Sequence, residues 1–546
     1  MECFKQIWYN NITITIIKIF LFLLYIGRIE KRNKMKVIKT IFSRWIIISL
    51  LILIQIIGVV ILLAYLEDSF VYVSVGCRIL SIIILLHIVY KYEKPEYKIP
   101  WIIAVLLIPS LGLVVYFLFG HVIMSRKMRR KYQSEEDMRQ MVLANKKDLT
   151  VELENIDPEL AGQVKYITAT AKEKVFSKTS CTYLRSGEDY FASLLTDLKN
   201  AKHFIFLEYF ILGKGKILDQ VIEILEEKVK EGVEVRVIYD DIGSIKVLPY
   251  NYDDRLKKKG IKCIKFNKYR PFANVAYNNR DHRKIVVIDG YIGYTGGINI
   301  ADEYCNYIER FGHWKDTGIR LYGEAVETLT FMFIKSYNIF GNEKLKYANY
   351  GSNKYLNEKI ESCGYFQPFG DGPAPIDEYY IGENAYMNMI NQATKYLYIT
   401  TPYLIVDHEL SNALCNAALR GVDVRIITPG IPDKKIVNII TKNSYGPLIK
   451  AGVKIYEYTP GFIHAKSMIA DDKCAIIGTI NLDYRSLVHH FECGCLIINN
   501  PVIQDIKDDF LKTQELSQMP SKKVYESNHL LYKLFVCILK LFAPLM

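Results

Sequence analysis

The 546-residue sequence has no cysteine or histidine cluster at metal-ligand spacing, no P-loop and no G-x-G-x-x-G following a strand-like run. These absences exclude zinc modules, P-loop nucleotide hydrolysis and the common dinucleotide-binding folds. Its eleven cysteines are scattered, eight of them between Cys181 and Cys495, and Cys493 and Cys495 form only a C-x-C on a strand-like run. We read them as reduced packing residues, which favours a cytosolic main domain. Disorder is excluded as well, because half of the residues are hydrophobic and 13% are aromatic. The length leaves room for three or four domains.

Uncharged runs are abundant near the amino end. Residues 45–65 (WIIISLLILIQIIGVVILLAY) carry no charge, 71–90 carry only Arg78, and 101–120 are uncharged but interrupted by Pro109 and Gly112. Each is long enough to span a bilayer, and three such runs flanked by basic clusters argue against buried core helices. An earlier run at 12–27 is shorter and holds Lys18; it is open to reading as a signal-like segment, a weak span, or an upstream extension if translation starts at Met35.

The net charge of +12 is unevenly spread. Seven basic residues face the single acid Glu30 between Arg28 and Arg44, which places that side in the cytoplasm by the loop-charge rule and turns Glu67 and Asp68 outward. Three full spans then deliver Arg126, Lys127, Arg129, Arg130 and Lys131 to the outside, against the same rule. A re-entrant segment at Pro109 and Gly112, or the loss of one weak span, removes the conflict and keeps the large domain inside. Its basic neck then meets anionic headgroups, each Lys or Arg contributing about 1 kcal/mol. Nucleic acid is the rival partner for such a stripe, and the membrane runs argue against it.

One motif occurs twice. HRKIVVID (His282, Lys284, Asp289) returns as HAKSMIAD (His464, Lys466, Asp471), each followed by a glycine-containing element ending in Asn299 or Asn481. Upstream, EGVEVRVIYD parallels RGVDVRIITP, and HFIFLEYF parallels KYLYITTPYL. Three matched blocks in one order mean an internal duplication of roughly 190 residues per unit, too long for a solenoid repeat. Within a strand the His and Lys share a face, setting a nucleophile or base beside a cation. From about residue 166, strand-length apolar runs alternate with amphipathic helices ending at Gly232 or Gly421, the pattern of an α/β fold.

The paired H-x-K-x-x-x-x-D motifs, each with its G-[GT]-x-N element, resemble those of the phospholipase D superfamily. YFLFG, GGINIADEYCNY, HWKDTGIRLYG, TTPYLI, GTINLDYRS and FAPLM are similar to bacterial cardiolipin synthases, and the resemblance runs from about residue 44 to 546. It implies two phospholipase D-like α/β/α domains about a pseudo-twofold axis, preceded by transmembrane helices. The expected organisation is an extension (1–43), a transmembrane region (44–122), a basic neck (123–165), a first domain (166–350), a connector (351–383), a second domain (384–524) and a carboxyl-terminal interfacial helix (525–546).

The resemblance also implies a role for each site residue. His282 is the nucleophile that forms a phosphohistidine, and His464 is the general acid and base. Lys284, Lys466, Asn299 and Asn481 hold the phosphate, and no metal or other cofactor takes part. Asp289 and Asp471 complete the six motif positions counted as catalytic, although a turn-stabilising role suits them better than substrate contact. An orienting acid is needed at the second nitrogen of each imidazole, and Asp316 and Glu492 are the candidates. His313, His489 and His490 lack a Lys partner and are read as structural. The implied reaction joins two phosphatidylglycerol molecules into cardiolipin and glycerol within a multi-pass cell-membrane protein. A hydrolytic phospholipase D, transfer to another alcohol, a catalytically dead membrane scaffold and a nuclease are the alternatives, and oligomeric state stays open.

Overall fold

The two halves build the same sheet. In the computed structural model, which describes residues 44–545 apart from 70, 121–124, 145, 270–278, 357–359, 361–362 and 526–528, seven strands of the first half run in the order Thr179–Leu184, Gly318–Gly323, Ile292–Gly296, Lys284–Ile288, Phe204–Tyr209, Glu234–Asp240, Lys262–Phe266. In the second half the order is Ser517–Gln518, Lys454–Tyr458, Asp423–Pro429, Tyr396–Thr400, Ser467–Ala470, Cys474–Gly478, Glu492–Ile498, Tyr365–Asp371. Seven successive strands match in order, read from Lys262–Phe266 in the first half and from Lys454–Tyr458 in the second, and in each half the three that begin the βαβ path are parallel. The stretch read as a connector thus supplies an edge strand, Tyr365–Asp371, to the second sheet.

Strand periodicity explains the layering. Phe204 and Phe206 face a core shared with residues of the second half such as Ile469, Ile477 and Cys493. Ile205, Leu207 and Tyr209 face the first half's own outer helices. Tyr396 and Tyr398 against Leu397 and Ile399 repeat the division. Helix Lys216–Lys230 closes at Gly232 (φ +89°) and helix His408–Leu419 at Gly421 (φ +95°), left-handed positions that suit a residue without a Cβ. The ten cysteines among the described residues are free thiols.

Helix Arg44–Ser69, of 26 residues, belongs to a unit separate from the rest. The run at 12–27 and most of the Arg28–Arg44 cluster lie outside the described residues. Among the described residues one helix, Val71–Tyr90, is long and apolar enough to cross a membrane. The run at 101–120 is not a continuous span. It falls into helices Pro95–Leu107 and Pro109–Phe119, of 13 and 11 residues, broken at Ile108 because the residue before a proline is driven from helical geometry. A Cβ on Gly112 would lie 2.3 Å from the Ala104 carbonyl oxygen and 2.7 Å from the Val105 Cα, so the second helix folds back on the first. Thirteen residues reach only about 20 Å, short of the ~30 Å hydrocarbon layer.

Lys94, just before that hairpin, pins it to the second half. Its ammonium is paired with the buried carboxylates of Glu383 and Asp407, and Asp407 also caps helix His408–Leu419 through the Leu410 amide (2.8 Å). Burial, then the neighbouring Asp407, pushes Glu383 up to about 8. Lys94→Met leaves two buried acids facing one another and should cost about 3–5 kcal/mol, the scale for breaking a buried pair from one side. Because Glu383 prefers its protonated form, the deficit should grow as pH rises through about 8. Thermal unfolding in detergent reads both effects, and an unchanged midpoint would contradict the pin.

Candidate active site

The two motifs meet where each half lends a strand to the other. Gly461–Ile463, leading into His464, runs parallel to His313–Lys315, leading into Asp316; the His464 amide donates to the Lys315 carbonyl (2.7 Å). Asp281 bridges Phe491 in the same sense, with the His282 amide on the Phe491 carbonyl (2.9 Å) and the Phe491 amide on the Arg280 carbonyl (2.8 Å). Each histidine therefore emerges beside the acid of the opposite half. Glu492 holds His282 Nδ1 at 2.9 and 3.0 Å, and Asp316 holds His464 Nδ1 at 2.7 Å. With Nδ1 engaged on both rings, Nε2 is left for a substrate.

Lys284 and Lys466 are fully buried, and each ammonium donates to the carbonyl of the histidine two residues earlier, Lys284 at 2.5 Å. Burial lowers Lys284 to about 8 and Lys466 to about 7, the latter helped by Lys284. Burial followed by the lysine charges holds His282 well below its usual range. His464 falls to about 4, with burial the main cause, Lys466 adding to it and Asp316 opposing it. This is a compact cationic site that an anion would relieve.

The glycine-containing elements support the acids asymmetrically. A Cβ on Gly297 would sit 2.1 Å from Asp316 Oδ1, so glycine makes room for that carboxylate. Its counterpart Thr479 donates its hydroxyl to Glu492 and accepts the Cys493 amide (3.0 Å).

Not every expected site residue arrives at the site. Asp289 and Asp471 sit at the far ends of their strands, five residues or roughly 16 Å beyond the lysines. Asp289 accepts the amides of Lys202, His203 and Phe204 (2.7–2.9 Å), and Asp471 those of Thr394, Lys395 and Tyr396 (2.7–2.9 Å). They lock the turn between adjacent strands, which corrects their inclusion among the catalytic six. Asn299 is held in place: Nδ2 donates one proton to the Tyr304 hydroxyl (2.6 Å) and Oδ1 accepts the Ile211 amide (3.0 Å). It fixes the loop that lays Phe210 5.0 Å from the His282 ring. Asn481 is buried and its carbonyl oxygen has no hydrogen-bond partner. His313 is bonded to Tyr458 (2.9 Å) and His489 to the Pro544 carbonyl (3.2 Å), both structural as read. His490, read as structural too, lies with its ring 5.4 Å from that of His282. Its spacing of two from Glu492, the same as His282 to Lys284, was the available signal.

Ligand atoms of His282, His490 and Glu492 lie within 4.8 Å of one another. Glu492 is spent on His282 and Thr479, and two lysines fill the surroundings with positive charge, a poor fit for a dication.

Known proteins similar to this chain in sequence are numerous. A family model described as "Cardiolipin synthase, PLD-like domain" matches residues 194–309 and 386–513, and one described as "Phospholipase_D-nuclease N-terminal" matches 79–121. A cardiolipin synthase of Geobacillus kaustophilus is 32% identical over 478 residues, covering 87% of this chain and 93% of that protein. The cardiolipin synthase of Halalkalibacterium halodurans is 33% identical over 456 residues, 83% and 90% of the two chains. The chain belongs to the cardiolipin synthase family. An uncharacterized protein of Streptococcus mutans is 46% identical over 381 residues, 70% of this chain and 82% of that one. The crystal structure of a Haemophilus influenzae phosphatidylserine synthase shares the fold, with a TM-score of 0.52 at 14% identity, covering 70% of this chain and all of that one.

For a member of this family with these lysines, kcat/KM should fall as pH rises through about 7 to 8. Above those values Lys466 and Lys284 lose the protons that hold an anion, while below them both are charged. A kcat/KM profile flat to pH 9 would contradict it.

Proposed function

We propose that the paired histidines transfer a phosphatidyl group from one phosphatidylglycerol to the glycerol hydroxyl of another, releasing glycerol and forming cardiolipin. The carrying observation is the exchange of acids between halves, which gives each imidazole an orienting carboxylate at Nδ1 and a free Nε2. The His282 Nε2 lone pair forms a bond to phosphorus as the bond to the glycerol oxygen breaks, and His464 supplies the proton to that oxygen. The phosphodiester anion, lying between Lys284 and Lys466, offsets the repulsion that otherwise keeps His464 neutral. In the second step His464 takes the proton of the incoming hydroxyl, whose oxygen displaces His282 from phosphorus. Asn481 is the remaining amide proposed at the phosphate.

A membrane setting suits this reading. Leu530, Leu531, Leu534, Phe535 and Ile538 are exposed on the carboxyl-terminal helix Leu530–Phe542, as are many apolar residues of Val71–Tyr90. With the runs at 45–65 and 71–90 as crossings and 95–119 as a re-entrant hairpin, the basic cluster before Arg44 and the catalytic halves share the cytoplasmic side. Labelling single cysteines placed between residues 150 and 520 should fail from outside intact cells; efficient labelling there would reverse the topology.

Purified protein given phosphatidylglycerol alone should yield cardiolipin and glycerol by mass; phosphatidic acid alone would favour hydrolysis. His282→Ala should form no phosphoryl-enzyme even from a substrate with an activated leaving group. His464→Ala should still accept the phosphatidyl group and resolve it slowly, losing about 10²- to 10⁴-fold in turnover with phosphatidylglycerol. Label trapped on His464 would exchange the two roles. Activity should also persist in strong chelator, since the lysines supply the positive charge; restoration by zinc or magnesium after loss would sink that account.

A further inference from the structure

His490 stands out among the groups that the mechanism leaves unused. It is 7% exposed, and neither ring nitrogen has a hydrogen-bond partner. The Glu492 carboxylate, 3.6 Å from Nδ1, is too far for a hydrogen bond. Burying an imidazole without partners costs free energy unless something fills them.

Local backbone geometry aims the ring. Arg485–His489 form one π-helical turn, closed by the His490 amide on the Arg485 carbonyl (3.0 Å), and the chain then runs extended at His490 (φ −95°, ψ 157°). Single π-turns recur at functional sites because they re-aim the residues that follow. Alternation then puts His490 and Glu492 on the face toward His282 and sends Phe491 the other way, onto Phe266 and Tyr132. The first half repeats the position with another ring: Trp314, two residues before Asp316, lies 5.6 Å from the His464 ring with its buried indole N–H unpartnered. The pseudo-symmetry therefore pairs a donor-only ring beside His464 with a donor-and-acceptor ring beside His282.

We propose that His490 hydrogen-bonds a hydroxyl of the polyol headgroup at the His282 phosphorus, and so favours resolution by the lipid alcohol over resolution by water. This rests on the transferase reading above. A neutral imidazole offers one N–H donor and one bare nitrogen, which complements a hydroxyl; a phosphate oxygen can use only the donor, and an ammonium headgroup only the acceptor. Burial lowers His490 to about 3, with the neighbouring Glu492 carboxylate opposing and His282 adding to it, so it stays neutral across the working range and does not compete with His464 as an acid. Lys284, Lys466 and Lys434, whose charges all reach His282 next to it, also disfavour an ammonium there.

The test compares wild type, His490→Phe and His490→Asn with phosphatidylglycerol in detergent, measuring cardiolipin and phosphatidic acid by mass, together with capture of a phosphatidyl group from an activated substrate. His490→Phe should keep capture within a few-fold while the ratio of cardiolipin to phosphatidic acid falls roughly tenfold, the scale of one lost neutral hydrogen bond. His490→Asn, which retains a donor and an acceptor, should restore most of the ratio. Capture in both variants shows that the site is built. An unchanged ratio in His490→Phe overturns the proposal, and so does loss of capture in both variants, which would make His490 a support for His282 alone. Wild type forming no cardiolipin sinks the transferase reading itself.

Discussion

Each catalytic-type histidine in this chain depends on a carboxylate that its own half does not provide. The short parallel pairings of Gly461–Ile463 with His313–Lys315, and of Asp281 with Phe491, carry His464 to Asp316 and His282 to Glu492. Without the opposite half each histidine loses its orienting carboxylate, and that carboxylate loses the imidazole it is buried against. The cost of burying unpaired ionisable groups thus ties the two halves into one active unit.

The shared core enforces the same coupling. Phe206, Ile285 and Val287 of one sheet join Ile469, Ile477 and Cys493 of the other in a single apolar cluster. Close packing there leaves little freedom for one sheet to shift against the other, so the distances between imidazole and acid are set by side chains remote from the chemistry. Asp289, Asp471 and Asn299 belong to this supporting framework. The two carboxylates accept backbone amides that lock strand ends, and the Asn299 side chain bonds the Ile211 amide and the Tyr304 hydroxyl, placing the loop that carries Phe210.

Electrostatics gives the site its direction. Two buried lysines and two neutral imidazoles share one small volume, and an anionic phosphodiester is the partner that relieves their repulsion. The helical hairpin of residues 95–119 is fastened to the second half by a further buried charge cluster, Lys94 with Glu383 and Asp407.

Much of this was legible in the residues. Strand-length apolar runs alternating with helical patterning, the glycines closing helices at 232 and 421, and the twofold motif determined the α/β class, the duplication, and the identities of His282, Lys284, His464 and Lys466, because local geometry follows from local sequence. Pro109 and Gly112 marked where the third apolar run breaks. Three things were decided only by the tertiary structure. Which acid serves which histidine depends on strands more than 140 residues apart. Asn299 and Asp289 look like ligands in a motif, yet their polar atoms are claimed by neighbours that no local pattern reveals. His490 lacked the lysine that marked the other histidines, and only the π-turn and the crossing of the halves bring it to His282.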